Sequence, residues 1–379
     1  MMKIKRPLPF NQLSALLRVA LGNTEEPILN SENIDWSEIY KESQKQCVVG
    51  IAFAGILKIK PNIPKRILLN WYIASEHIKK RNEKIYQRCV DLQKQCHEAG
   101  LRSAVLKGAG VGYLYGNLSL LRVSGDIDLW VDANWRGVMD YVNSISPNTE
   151  FDSKHTHLYQ WKDTIVEIHW RPAVNNNPLY KKALDKYFQY EIDGQCRNSI
   201  VLKADDREYV ITAPTAKFNV IYVLHHIYGH FLYEGVGLRQ IMDYYFVLKS
   251  FVDSECRQGD YRPEVIQRMR DFGLYGFSRA LMYVLKELFG LEDRYFITSL
   301  DKALGDVLLQ EIIEGGNFGH SAKENQVFNE GFMHRMMRRI QRRVRLLRYN
   351  ALGTLCAPIY KISFLMWKRK VIQKYNLLK

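Results

Sequence analysis

The run LRVSGDIDLWVDANW, residues 121–135, places Asp126 and Asp128 two apart in a segment that otherwise reads as a buried β-strand. Alternate strand residues share a face, so the two carboxylates project together while Ile127 and Leu129 enter the opposite layer. Burying one carboxylate is costly and burying two side by side is worse, unless a cation sits between them. A rigid strand that presents two carboxylates suits a hard dication such as Mg²⁺ or Mn²⁺. The spacing alone equally fits a strand end at which both acids are solvated.

Three neighbours favour the cation. Lys107 and Gly108 close the preceding strand, where a glycine lets backbone N–H groups approach a phosphate at the start of a short helix. Arg122 and Ser124 lie just ahead of the aspartates, where a guanidinium could grip phosphate oxygens. Glu167 sits at the centre of the apolar strand TIVEIHW and requires either a cation or a basic partner. His169 shares a face with Glu167, and His155 shares one with His157.

The elements that must position these groups follow from periodicity. Before residue 100 the pattern is helical: SENIDWSEIYKESQKQCVVGIAFAGIL begins at a Ser or Asn cap. A second helix after Pro64 carries Trp71, Ile78, Ile85, Cys89, Leu92 and Cys96 at helical spacing, with Gly100 to end it. LRSAVLKG and DIDLWVD then read as strands, ANWRGVMDYVNSI as a helix, and HLYQW and TIVEIHW as a hairpin about Lys162-Asp163. From Ala213 helices return. His225, His226 and His230 share one of them, but without the Glu of a HExxH motif a core or pocket-lining role outweighs zinc binding. On the next helix Arg239 and Asp243, four apart, could form an ion pair or bound the pocket. EGGNFGH, which lacks a Lys-Ser/Thr pair, reads as a connection.

A glycine turn, DxD on the next strand and an acid on a later strand resemble the polymerase-β-like nucleotidyltransferase superfamily. The likeness is closest to a group of bacterial proteins known only as nucleotidyltransferase family proteins. Their pattern is met by Lys107, Gly108, Tyr113, Tyr115, Arg122, Gly125, Asp126, Asp128, Glu167, His169 and Trp170, and His226, Arg239 and Asp243 fall at family-like positions, so the likeness covers about residues 100–250 by motif and the remainder more loosely. The superfamily's Gly-Ser or Gly-Gly turn is Gly108-Ala109 here, so Lys107 is expected to supply charge in place of the hydroxyl. The resemblance implies that Asp126 and Asp128 hold two Mg²⁺ (or Mn²⁺) ions and that Glu167 completes the second site. It further implies that Lys107, the Gly108 and Ala109 backbone, Arg122 and Ser124 bind the NTP. His169, His226, Arg239 and Asp243 would line the pocket. A nucleoside monophosphate would pass to a hydroxyl of an RNA, a protein or a small molecule, with release of pyrophosphate.

Composition is that expected of a soluble globular protein, with 47% hydrophobic and 25% charged residues. The apolar run VVGIAFAGIL is too short to span a bilayer, and the basic N-terminus lacks the features of a signal peptide. Six scattered cysteines without a CxxC pair exclude zinc ribbons and redox dithiols and suit a reducing cytoplasm. The net charge of +14 is concentrated at one end, since residues 328–379 hold thirteen Lys or Arg against the single acid Glu330. Within FMHRMMRRIQRRVRLLRYN, Met333, Met336, Ile340, Val344 and Leu347 form a stripe flanked by arginines, suited to RNA, to an anionic membrane, or to an ordinary packed helix with a solvated face.

The expected layout is α+β, with a small mixed nucleotidyltransferase sheet domain over 100–212 between helical regions. A helical region spans 1–99, a helical domain 213–327, and a basic amphipathic tail 328–379. The expected function is metal-dependent nucleotidyl transfer in the cytoplasm, with the tail peripheral at a membrane or on RNA. The alternatives are a non-catalytic RNA- or membrane-binding protein on a degenerate nucleotidyltransferase fold, and a glycosyltransferase that uses DxD to hold a nucleotide sugar.

Overall fold

A computed structural model describes residues 6–22, 29, 34–146, 150–255, 259–316 and 351–375. The arginine-rich stripe from Met333 to Leu347 lies outside the described residues, as does most of EGGNFGH.

The chain opens with α1 (Leu8–Ala20), α2 (Trp36–Lys45) and α3 (Val49–Ile59). The stretch expected as one continuous helix is divided at Cys47, whose positive φ of 53° breaks the α2–α3 run. The N-terminal cap of α2 is neither Ser nor Asn but Asp35, whose carboxylate accepts from the Ser37 and Glu38 N–H groups. α4 (Lys65–Glu98) buries Trp71, Ile85, Tyr86, Cys89, Leu92 and Cys96 along one face, and Gly100 ends it at φ +75°.

Strands β1 (Ser103–Val105), β2 (Ile127–Val131), β3 (His155–Trp161) and β4 (Thr164–His169) form a mixed sheet in the order β1-β2-β4-β3. β2 and β4 are parallel and the outer pairs antiparallel, with α5 (Ala109–Gly112) after β1 and α6 (Trp135–Ile145) after β2. Lys162 and Asp163 form the β3–β4 connection, both at positive φ, as a tight hairpin requires. α7 (Pro178–Gln195) and the hairpin β5 (Ser199–Ala204)–β6 (Arg207–Thr212) follow.

One sheet face is apolar. Ile127, Leu129, Val131, Val166 and Ile168 join Ile85, Cys89 and Leu92 of α4 and Val138 and Val142 of α6 in one core. The opposite face carries Asp128, Trp130, Glu167 and His169. Trp130 joins the second core and stacks on Phe218 of α8 (Ala216–Tyr233), with ring centroids 5.5 Å apart. Beyond α8 lie α9 (Leu238–Ser250), α10 (Arg262–Asp271), α11 (Tyr275–Phe289) and α12 (Lys302–Gly315).

The last described helix, α13 (Ala351–Tyr375), reaches the sheet unit through Trp367, which meets Trp135, Phe151 and Trp170 at ring-centroid distances of 5.5, 5.8 and 6.1 Å. Among the described residues no helix is long and apolar enough to cross a membrane.

The turn that brings Lys107 to the sheet depends on a close approach at Gly110. A Cβ there would lie 2.0 Å from the Val105 carbonyl oxygen, a backbone atom of β1. Gly110→Ala should therefore cost about 2–3 kcal/mol of folding stability in urea denaturation, whereas Gly125→Ala, whose Cβ meets nothing within 4 Å, should not cause that steric loss.

Candidate active site

Strand register unites the acids. Parallel pairing of β2 and β4 sets Asp128 directly beside Glu167, and Asp126 precedes β2 by one residue. Oxygen atoms of Asp126, Asp128 and Glu167 all lie within 4.8 Å of one another. Antiparallel pairing of β3 adds His157 opposite Glu167 and His155 opposite His169, so a file of carboxylates and imidazoles runs across one face.

The approach to Asp126 is held by backbone carbonyls. Asn82 of α4 donates its Nδ2 to Leu120 O (2.7 Å) and Arg122 O (2.8 Å), and Arg81 reaches Gly125 O at 3.2 Å. From the other side Arg239 Nη1 donates to Val123 O at 3.2 Å. A segment that looks like a bare loop in sequence is therefore fixed from two helices.

Arg122 has a different occupation from the phosphate contact expected of it. Its Nε and Nη2 donate to the two carboxylate oxygens of Asp243 at 2.7 and 2.6 Å, and its Nη1 reaches Ser124 Oγ at 3.3 Å. Tyr115 donates its hydroxyl to the same Asp243 at 2.6 Å. Both charged residues are 5% exposed, so each carries a desolvation cost that the bidentate geometry offsets. Arg122 is committed to Asp243, while Arg239, on which the Asp243 charge also acts, donates to the Val123 carbonyl. Spacing along α9 could not reveal this, because the pair joins residues far apart in sequence. The buried Arg122, Asp243 and Tyr115 were nevertheless each conspicuous as polar residues in apolar surroundings.

The charges of the sheet file are balanced from within. Lys107 Nζ lies 3.1 Å from Asp128 Oδ1, and His169 Nε2 lies 3.0 Å from the same oxygen and 3.3 Å from Glu167 Oε2. Burial works against the Lys107 ammonium, but Asp128 and Asp126 hold its pKa above the usual lysine range. Burial likewise opposes the Asp128 carboxylate, which Lys107 and the His169 hydrogen bond nevertheless hold below its ordinary pKa. For Glu167 burial is outweighed by the hydrogen bond and charge of His169, and its pKa falls to about 2. Burial would lower His169, yet its bonds to Asp128 and Glu167 raise it. His155 and His226 are pushed down by burial first, then by nearby cationic groups.

The carboxylates fit a divalent cation. Asp128 Oδ2 is buried without a hydrogen-bond partner even though Oδ1 is doubly engaged. Three converging carboxylates with one free buried oxygen are hard donors of the kind Mg²⁺ and Mn²⁺ take. Lys107, Gly108, Arg122, Gly125, Asp126, Asp128, His226, Arg239 and Asp243 line the cleft beside them, whose volume is about 30 Å³. That volume admits a water or an ion. Ala109 is buried behind the turn, and Ser124 faces Arg122.

The fold and this site define a nucleotidyltransferase-like protein. Residues 32–290 match the family described as "Uncharacterised nucleotidyltransferase", and the chain belongs to that family. No curated protein matches the sequence. Among solved structures, the chain resembles an antigenic nucleotidyltransferase-like protein from Paracoccidioides brasiliensis at 12% identity and a TM-score of 0.28. The match covers 59% of this chain and 96% of that one, a likeness too distant to argue from. The family assignment weighs against a DxD glycosyltransferase.

The buried Arg122–Asp243 pair should be strongly asymmetric to mutation. Asp243→Ala leaves a buried guanidinium uncompensated and should cost about 3–5 kcal/mol. Arg122→Met with Asp243→Ala together should cost less than the sum of the single changes, in a double-mutant cycle read by chemical denaturation.

Proposed function

We propose that this chain transfers a nucleoside monophosphate from an NTP to a hydroxyl group, with Mg²⁺ or Mn²⁺ held by Asp126, Asp128 and Glu167. The observation that supports this most is the convergence of those three carboxylates with a buried, unpartnered oxygen on Asp128. When bound, such an ion polarises phosphate oxygens and lowers the pKa of an attacking hydroxyl. In the reaction proposed, the acceptor oxygen bonds to the α-phosphorus, the bond from the α-phosphorus to the α,β-bridging oxygen breaks, pyrophosphate leaves, and the hydroxyl proton passes to solvent water.

The chain's own residues orient and neutralise. Lys107, released from Asp128, supplies a point charge to the triphosphate, and the Gly108-Ala109 turn offers backbone N–H groups. Glu167, ionised throughout the neutral range, contributes charge more than basicity. His169 holds Asp128 and Glu167 in a fixed relation. Arg122, tied to Asp243, positions Ser124 and the Asp126 segment from the cleft wall, with Arg239 and His226 beside it.

Each labelled NTP, incubated with Mg²⁺ and a panel of RNA, protein and small-molecule acceptors, should yield pyrophosphate with at least one pair. Asp126→Asn with Asp128→Asn should reduce this by about a hundredfold or more, and should abolish Mg²⁺-dependent nucleotide binding in calorimetry. Unchanged metal uptake in that double variant would remove Asp126 and Asp128 from the metal site. A second reading, a degenerate fold that binds without turnover, is favoured by the Gly108-Ala109 turn, which lacks the hydroxyl of a Gly-Ser turn. It would show as Mg²⁺-dependent nucleotide binding with no pyrophosphate on any acceptor.

For the basic C-terminal segment we favour an anionic membrane surface over RNA, with the enzyme cytoplasmic and peripheral. Along α13, Leu355, Ile359, Ile362 and Met366 recur at helical spacing and are each at least 60% exposed, beside Lys361, Lys368, Arg369 and Lys370. An exposed apolar stripe flanked by cations suits a lipid interface better than a phosphate backbone. The full chain should sediment with vesicles containing phosphatidylserine and not with neutral vesicles, and Ile359→Glu with Ile362→Glu should abolish that binding. Displacement from the vesicles by RNA at equal charge would favour the nucleic-acid reading.

A further inference from the structure

His155 and His157 have no role in the chemistry proposed above, in which His169 serves only to hold Asp128 and Glu167. His155 is 5% exposed, and its Nδ1 lies 3.4 Å from Glu167 Oε2 without a hydrogen-bond partner. His169 Nε2 lies 3.3 Å from that same oxygen, and each of His155, Glu167 and His169 offers a ligand atom within 4.8 Å of those of the other two. Ligands about 2.0–2.1 Å from a four-coordinate ion stand about 3.3–3.4 Å apart along a tetrahedral edge. Both separations from Glu167 match that edge before any rearrangement.

We propose that His155, His169 and Glu167 hold a divalent first-row transition metal at a position distinct from the Asp126–Asp128 oxygen site and joined to it through Glu167. The inference rests on the reading above only in that Glu167 is shared. Donor chemistry sets the metal class. Imidazole nitrogen favours Zn²⁺, Co²⁺ and their neighbours, whereas Mg²⁺ prefers oxygen and parts reluctantly with its water.

The neighbouring tautomers agree with this assignment. With Nδ1 of His155 as the ligand, its proton sits on Nε2, which lies 3.2 Å from Nε2 of His157 and can donate to it. His157 then turns Nδ1 towards Glu167, at 3.8 Å from Oε1. A histidine ligand whose second nitrogen is hydrogen-bonded is oriented and made more basic by that bond. The ion takes the place of the proton that His169 Nε2 shares between Asp128 and Glu167. Strand pairing fixes all four residues on one face, so the site is carried by rigid backbone.

Three measurements on the full-length, metal-stripped protein test the site. Titration with Co²⁺ alone should produce the intense visible bands of a low-coordinate site containing nitrogen, at one equivalent. His155→Asn should weaken that uptake by at least about tenfold. Asp126→Asn, which touches only the oxygen position, should leave the bands in place. Pulsed EPR of one equivalent of Cu²⁺ bound to the unmodified chain should show ¹⁴N couplings of imidazole, a readout independent of whether the variants fold. Absence of Co²⁺ bands, bands indifferent to His155→Asn, or Cu²⁺ without ¹⁴N couplings would each overturn the proposal. Intact Co²⁺ bands in a chain that shows no Mg²⁺-supported nucleotide binding would support this site while rejecting the nucleotidyl-transfer reading.

Discussion

The parallel pairing of β2 with β4 is the constraint from which the rest of the site follows. It places Asp128 beside Glu167 on the face opposite the apolar core, and it does so with backbone that cannot relax apart. Two carboxylates at that separation would repel in a low-dielectric setting, so cationic groups must be close. Lys107 and His169 meet that need, both on the same oxygen of Asp128. Their placement leaves the other oxygen open, and thus balances charge without filling the position a cation would take.

A second constraint joins the sheet to the helices. Arg122 leaves the segment that leads to Asp126, and Asp243 lies on α9, so their bidentate pair ties the two units across the cleft. A buried ion pair contributes little net stability compared with apolar packing, but it penalises any arrangement in which one partner is lost. Asn82 and Arg81 fix the same segment from α4, and Arg239 fixes it from α9. The loop that delivers the aspartates is thus held by side chains of two helices.

Much of this was legible in the residues. Asp128 in a strand, Glu167 at the centre of another and the Lys162-Asp163 hairpin each carry a local signal and lie where the periodicity places them, while Asp126 falls one residue ahead of its strand. α7 and the β5–β6 hairpin were also readable, though they were not anticipated: Asn177 and Pro178 form a helix start, and SIVLKA alternates cleanly about the Asp205-Asp206 turn. The break at Cys47 was not readable, because a positive φ at cysteine has no sequence signature.

By itself the sequence determined which residues carry charge into apolar surroundings, which of them share a strand face, and that the cationic excess lies at one end. Those properties depend on residue type and a period of two, both written in the chain. Only the tertiary structure decided that Asp128 and Glu167 are cross-strand neighbours, that Arg122 belongs to Asp243, and that three histidines border the carboxylates. Each of these depends on the order and direction in which distant segments pair, and that choice is made by the burial of two cores at once.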